Sequence, residues 1–168
     1  MKKTSELKTY PKWLARLQNE IAGNLPGKQS KDWTARLLNA VETNTNLEDC
    51  KHRFLARLLR ECLVFDREQN PECAKAIDAI ADLHDRWTEI DTDTWAEYAK
   101  SAESAWSAAE SATSAAWSAA WSAAWSAAWS DWSAARYAAR FAAWSAARSA
   151  RSAAWVKIAD ILIEELER

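Results

Sequence analysis

Three short stretches in the N-terminal half share one pattern that decides the expected fold: Trp13-Leu-Ala-Arg-Leu17, Trp33-Thr-Ala-Arg-Leu37 and Phe54-Leu-Ala-Arg-Leu58. Each places an aromatic residue and a leucine four positions apart, on one face of an α-helix. The alanine between them is small enough to admit a neighbouring helix. Because a solenoid needs more regular repeats, we interpret the stretches as apolar faces of amphipathic helices in a bundle.

Helix start and stop signals divide this half of the chain. Proline suits a first helical turn, glycine a C-terminal stop, and serine, threonine or asparagine an N-cap. We therefore expect four helices, bounded by Pro11 and Gly23, by Ser30 and Glu42, by the capping box Thr45-Asn-Leu-Glu48 and Arg67, and by Asn70-Pro71 and Trp87.

The second half of the chain has a different composition. Residues 101–155 contain 24 alanines, 13 serines and 8 tryptophans, without leucine, isoleucine, valine or methionine. No glycine or proline follows Pro71, and β-folds need such turn residues throughout. Thr94 to Glu97 is a capping box, and nothing after it stops a helix before Arg168. One straight helix over this length would span roughly 110 Å.

The predicted fold class is therefore all-α. Residues 1–91 form an N-terminal bundle of short helices. Residues 92–168 form a long Ala/Ser/Trp-rich helical region that packs on the bundle or on another chain. The long helix is either continuous, with at most a mild kink, or it turns near Ser130-Asp131, where both residue types can cap helices. We prefer the continuous form because no glycine is present to allow a sharp stop.

A ladder of tryptophans marks the long region: Trp117, Trp121, Trp125 and Trp129. Each step of four residues rotates the side chain by about 40° around a helix. The eight tryptophans of residues 101–155 carry about 1,200–2,000 Å² of aromatic surface, whereas a typical monomer exposes an apolar patch of about 300–600 Å². Most of these rings must be covered, by packing within the chain or between copies, or by a partner. We expect at least two of the four ladder tryptophans to be core residues.

Arginines alternate with aromatic residues after the ladder. Such a pattern can hold phosphates and stack bases, or the arginines can flank an apolar seam and pair with acids elsewhere. The net charge of −2 favours the second interpretation and argues against nucleic-acid binding. Together with the ladder, these residues are the candidate partner-binding site: Trp117, Trp121, Trp125, Trp129, Arg136, Tyr137, Arg140, Phe141, Arg148 and Arg151.

Residues that would carry catalysis or bind a metal are sparse. His52 and His84 are the only histidines, and they fall on different predicted helices. A zinc site of Cys50 and His52 with Cys62 or Cys73 would match no common spacing, so we expect the cysteines to be small core residues. Without a catalytic constellation, the prediction is a protein that is not an enzyme and uses no cofactor or metal.

The cysteines and the apolar stretches indicate where in the cell the protein is expected. The three cysteines form an odd set without Cys-x-x-Cys spacing, and no apolar core follows Met1, so we expect a reduced, cytoplasmic protein. The uncharged stretch Ser111–Ser130 has the length of a membrane span. Its alanines, serines and tryptophans lack the apolar character of a bilayer centre, so we expect no membrane role.

The C-terminal half resembles a group of small bacterial and phage proteins, some of which are described as immunity proteins. The resemblance rests on Ala76–Trp87 (AIDAIADLHDRW), Trp95-Ala96, the repeated Ser-Ala-Ala-Trp and Ser-Ala-Ala-Arg words, and Asp160–Leu166 (DILIEEL). It covers about residues 75–168, and this chain has serine where many of those proteins have alanine or arginine. The resemblance implies an all-helical protein that neutralises a toxin or defence component by binding it, and it assigns no site residues.

Two functions remain in view. The first is a non-catalytic interaction module, immunity-like or a phage-encoded inhibitor, with an unknown protein partner. The second is a structural, self-assembling helical protein whose ladder serves packing only. Both lead us to expect a homo-oligomer or a long element that folds back on the bundle.

Overall fold

The computed structural model describes residues 11–44, 46–62, 67–68, 71–98, 100 and 151–168. This part is helical and contains no strand, which confirms the all-α prediction for it. The elements are α1 (Lys12–Asn24), α2 (Gly27–Thr43), α3 (Leu47–Glu61), α4 (Pro71–Asp85), a 3-10 turn (Trp87–Glu89), helical residues 92–98, and α5 (Arg151–Glu167).

The three repeated stretches form the inner faces of α1, α2 and α3, as their spacing predicts. Their aromatic residues and leucines are all buried: Trp13, Leu17, Trp33, Leu37, Phe54 and Leu58. The alanines behave differently, since Ala56 is buried, Ala15 is half-buried and Ala35 is exposed. The expected close approach of a neighbour at this alanine therefore fails in α2. It fits α3, which packs against both α4 and α5.

The C-terminal helix α5 completes the core. It contacts α1, α2 and α3, and it shares one apolar cluster with them through Trp155, Ile158 and Leu162. Two side chains from α2 and its end bind the backbone of α5. The indole Nε1 of Trp33 donates to the carbonyl of Ala159 at 3.1 Å, and Nδ2 of Asn44 donates to that of Leu166 at 2.8 Å. These bonds fix α5 along its axis.

One buried acid joins α3 and α5. The side chain of Glu165 is 0% exposed, and a carboxylate in that position is costly unless it is paired and hydrogen-bonded. Arg53 Nε donates to it at 2.9 Å and Arg57 Nη1 at 3.0 Å. Arg168 Nη1 lies 3.1 Å from its Oε1. Arg53 also donates to the backbone carbonyl of Glu165 at 3.0 Å, so charge and backbone set the same register.

Residues 95 and 165 both reach α3. The ring centroid of Trp95 lies 6.2 Å from that of His52, and Glu165 binds Arg53, the next residue of the same helix. Residues 92–98 and α5 therefore pack on the same helix. The long helix predicted from Thr94 to Arg168 falls mainly on residues that the structure does not describe.

Other predictions for this half fall on residues that the structure does not describe. They are the turn near Ser130-Asp131, the tryptophan ladder and the stretch Ser111–Ser130. Within the described ranges, no helix combines the length and the apolar character that crossing a membrane requires. The predicted division of the chain at residue 91 stays a prediction.

Several predicted helix boundaries are wrong, by as many as six residues at the end of α3. Gly23 lies inside α1, which continues to Asn24. The next helix starts at Gly27 with Pro26 as its N-cap. Ser30 is not its cap, because the Ser30 hydroxyl instead donates to the carbonyl of Ala22 at 2.9 Å. Proline fixes the backbone for a helix start without a side-chain oxygen, which explains why the serine is not needed.

The caps of the later helices also differ from the capping boxes read in the sequence. The side chain of Asn46 accepts from the backbone of Asp49 at 3.1 Å and caps α3, whereas Thr45 lies outside the described residues. Asp91 accepts from the backbone of Thr94 at 2.7 Å, so Asp91, not Thr94, caps residues 92–98. Asparagine and aspartate are stronger N-caps than threonine. The third and fourth helices end early, at Glu61 and Asp85.

Truncating an α5 core leucine tests the role of this helix. Leu162 is 0% exposed, and a buried Leu→Ala change costs about 2–5 kcal/mol in lost transfer energy and cavity formation. We expect Leu162→Ala to lower the free energy of unfolding by that amount in urea titrations. The matched control is Leu38→Ala, because Leu38 is 50% exposed, and we expect it to change stability by less than about 0.5 kcal/mol. Equal effects of the two variants would contradict the central position of α5.

Candidate functional site

The only two histidines of the chain meet between α3 and α4. His52 lies in the first half of α3 and His84 in the last turn of α4. Their Nδ1 atoms are 2.9 Å apart, and both residues are buried. Two ion pairs, from Arg60 to Asp82 at 2.6 Å and to Asp85 at 2.7 Å, hold α4 against α3 near this pair.

Two tryptophans lie against the histidine pair. The indole of Trp87 is stacked on the His52 imidazole, with ring centroids 4.5 Å apart and planes inclined by 4°. Its Nε1 donates to Asp49 at 3.1 Å. Trp95 has its ring centroid 5.1 Å from that of His84, at 50°. The 3-10 turn after α4 carries Trp87, and the helix capped by Asp91 carries Trp95 back to the pair.

These rings line a pocket of about 410 Å³. We call it the His–Trp pocket and define it by its lining residues: Glu48, His52, His84, Trp87, Ile90, Thr92 and Trp95. Glu48 is half-exposed, and its Oε1 lies 2.7 Å from the Lys51 ammonium and 3.8 Å from Nε2 of His52.

The hydrogen bond between the imidazoles allows two arrangements of their protons. A neutral imidazole has one donor and one acceptor nitrogen, so one Nδ1 donates and the other accepts. The nearby Glu48 carboxylate favours the proton of His52 at Nε2, which makes Nδ1 of His52 the acceptor. His84 then donates from Nδ1, and its Nε2 carries a lone pair. That buried Nε2 has no hydrogen-bond partner.

Burial keeps both imidazoles neutral. It lowers the pKa of His52 to about 4, with the Lys51 charge acting in the same direction and the carboxylates of Glu48 and Asp49 opposing it. For His84, burial is again the main cause, followed by His52, Lys51 and Arg60, and its pKa lies well below the usual value. The floor of the His–Trp pocket is therefore uncharged at neutral pH.

The pH dependence of stability follows from these shifts. An unfolded histidine takes up a proton near pH 6.5, whereas the folded imidazoles do so only at lower pH. Below about pH 6.5 the unfolded state therefore binds more protons, and stability falls as the pH decreases toward 4. Above pH 6.5 this effect is absent. We expect the free energy of unfolding to follow this course.

Imidazole NMR signals provide a direct measurement. We expect neither signal of the folded chain to titrate between pH 8 and about pH 5.5, while both titrate near pH 6.5 in the urea-unfolded chain. A folded-state midpoint near 6.5 for either histidine would contradict the buried, neutral pair.

The metal arrangement considered from the sequence is not formed. Cys50, Cys62 and Cys73 are free and buried. Burial raises the pKa of the Cys50 thiol to about 12 and that of Cys62 to about 11, so both are thiols at neutral pH. Among the described residues, no group of three or more His, Cys, Asp or Glu side chains could hold a metal ion.

The predicted partner-binding residues Trp117, Trp121, Trp125, Trp129, Arg136, Tyr137, Arg140, Phe141 and Arg148 lie outside the described residues. Arg151 begins α5, but its side chain is not described. The histidine pair was missed because sequence spacing does not show which faces of α3 and α4 meet. The available signal was that the only two histidines fall on consecutive helices, which usually pack as antiparallel neighbours. No protein-family model matches the chain, and no curated protein or solved structure matches it.

Proposed function

We propose that this chain is a non-catalytic helical interaction module that binds a protein partner through its Trp-rich sequence, residues 101–150. In this proposal it acts as an immunity-like protein or a phage-encoded inhibitor that neutralises a toxin or defence protein. The observation that carries the proposal is that the described residues on both sides of the Trp-rich sequence pack on one helix, α3. Trp95 packs there from one side and α5 from the other.

The described bundle uses its own apolar side chains to build a core. Leu38 is the one large hydrophobic side chain exposed within the described ranges. The seven tryptophans of residues 101–150 carry about 1,050–1,750 Å² of aromatic surface. A stable protein interface buries about 800 Å² on each partner, so this sequence has enough aromatic surface for one.

The residue types of this sequence support an interface. Tryptophan, tyrosine and arginine are enriched in interface residues that carry most of the binding energy, and these types recur from Trp117 to Arg151. Three buried, free cysteines fit a reducing compartment, so we propose the cytoplasm as its location.

Self-association is the second candidate function. The four-residue spacing of Trp117, Trp121, Trp125 and Trp129 places alanines and serines between large rings, and small residues allow helices to approach closely. In this alternative the ladder packs copies of the chain together in a homo-oligomer and binds no foreign partner. Capture of a foreign protein from the native host distinguishes the two candidates, and light scattering gives the oligomeric state.

Single Trp→Ala changes at the four ladder positions separate core residues from binding residues. We expect at least two to act as core, each costing about 3–5 kcal/mol and lowering the melting temperature. The remaining changes should leave stability intact and weaken binding of the partner by about 2 kcal/mol or more. Calorimetry and partner titration measure the two effects.

Arginine variants complete this test. Changing Arg136, Arg140, Arg148 and Arg151 to glutamine should leave helicity unchanged. It should lower the affinity for an acidic partner in a salt-dependent way. The exposed-residue control Leu38→Ala should bind like the parent chain. If all four ladder variants melt and bind like the parent, the ladder neither packs nor binds, and the proposal fails.

A further inference from the structure

We propose that the His–Trp pocket binds a small, uncharged, planar heteroaromatic molecule with N–H donors, of nucleobase or indole size. This binding site is separate from the protein-interaction function proposed above, and it stands on described residues alone. Four features of the pocket carry the inference: its size, its aromatic walls, its charge and its unused hydrogen-bonding atoms.

The size and the walls fit a flat ring. A volume of about 410 Å³ lies within the range of about 300–1,000 Å³ that small-molecule sites occupy. Trp87 and Trp95 are half-exposed at the pocket, whereas His52 and His84 are buried beneath them. Half-exposed indoles offer π-faces on which planar bases stack whatever their identity.

The charges exclude strongly ionic ligands. Both imidazoles are neutral at physiological pH, and the Lys51 ammonium is buried and paired with Glu48 at 2.7 Å. An anion would therefore find the Lys51 charge already neutralised by Glu48. A cation would find that carboxylate already neutralised by Lys51. An uncharged ring avoids both penalties.

Polar atoms at the pocket favour a ligand that donates hydrogen bonds. Lys51 and His52 both approach Oε1 of Glu48, so Oε2 can accept an N–H from the ligand, and Thr92 also lines the pocket. His84 is 2% exposed, and its buried Nε2 has no hydrogen-bond partner. A buried polar group without a partner costs stability and calls for an explanation, such as a bound water, ion or ligand.

The experiment uses the full chain and its two histidines as reporters. Because both imidazoles belong to the pocket, their NMR signals report on it without background from other histidines. Adenosine, guanosine and indole are titrated separately up to about 1 mM, a weak-binding limit, with choline as a cationic probe. We expect a saturable shift of both imidazole signals with a nucleoside or with indole, and none with choline. The comparison of nucleosides with indole shows which of these two kinds of ring the pocket prefers.

Two pocket variants and one matched control test the assignment. Trp95→Ala should weaken binding about tenfold or more through lost stacking. Glu48→Gln should weaken the binding of ligands with N–H donors several-fold. Because it also removes the counter-charge of the buried Lys51 ammonium, circular dichroism checks that this variant stays folded. Glu42→Gln, on the exposed side of α2, should bind like the parent chain.

Three results would overturn the proposal. One is the absence of any imidazole shift with both nucleosides and indole. Another is an equal response to choline, which would show that charge rather than ring stacking is recognised. The last is unchanged affinity in both Trp95→Ala and Glu48→Gln. None of these results bears on partner capture by the Trp-rich sequence, so failure here is distinguishable from failure of the proposed function.

Discussion

The fold depends on the burial of α5 against α1, α2 and α3. The three N-terminal helices each present an aromatic residue and a leucine to one cluster, and α5 fills the space between them with Trp155, Ile158 and Leu162. Apolar surface removed from water contributes roughly 25 cal/mol per Å², so this central helix supplies a large share of the stabilisation. The C-terminal residues are thus part of the same core as the first helix of the chain.

This arrangement makes α3 the helix on which both ends of the second half meet. Arg53 and Arg57 bind Glu165 of α5, while His52 meets His84 of α4 and the ring of Trp95. The alanine at position 56 is buried, whereas its counterparts in α1 and α2 are not. One helix therefore joins the structural core to the candidate site.

The sequence predicts the fold class and the inward faces well, because the aromatic–leucine spacing of Trp13, Trp33 and Phe54 follows the helix period. It predicts helix ends less well, because more than one nearby residue can start a helix. Pro26 rather than Ser30 precedes α2, and Asp91 rather than Thr94 caps residues 92–98. The His–Trp pocket could not be predicted, because it forms only when α3 and α4 pack with one particular register and the chain then reverses after the 3-10 turn. The burial of Glu165 is hidden from the sequence for the same reason, since Arg53 and Arg57 lie more than a hundred residues away from it.

The two polar groups most deeply buried in the described part show how core and site differ. Glu165 receives hydrogen bonds from Arg53 and Arg57, so its charge is compensated and its role is to hold α5 in register. His84 satisfies only Nδ1, and its Nε2 stays without a partner. Selection for stability alone would replace such a group with an apolar residue of similar shape, because a buried unsatisfied nitrogen costs about 1–3 kcal/mol. The Nε1 of Trp13 is likewise buried without a partner, inside the core cluster. His84 differs from it in lining a pocket with two half-exposed indoles.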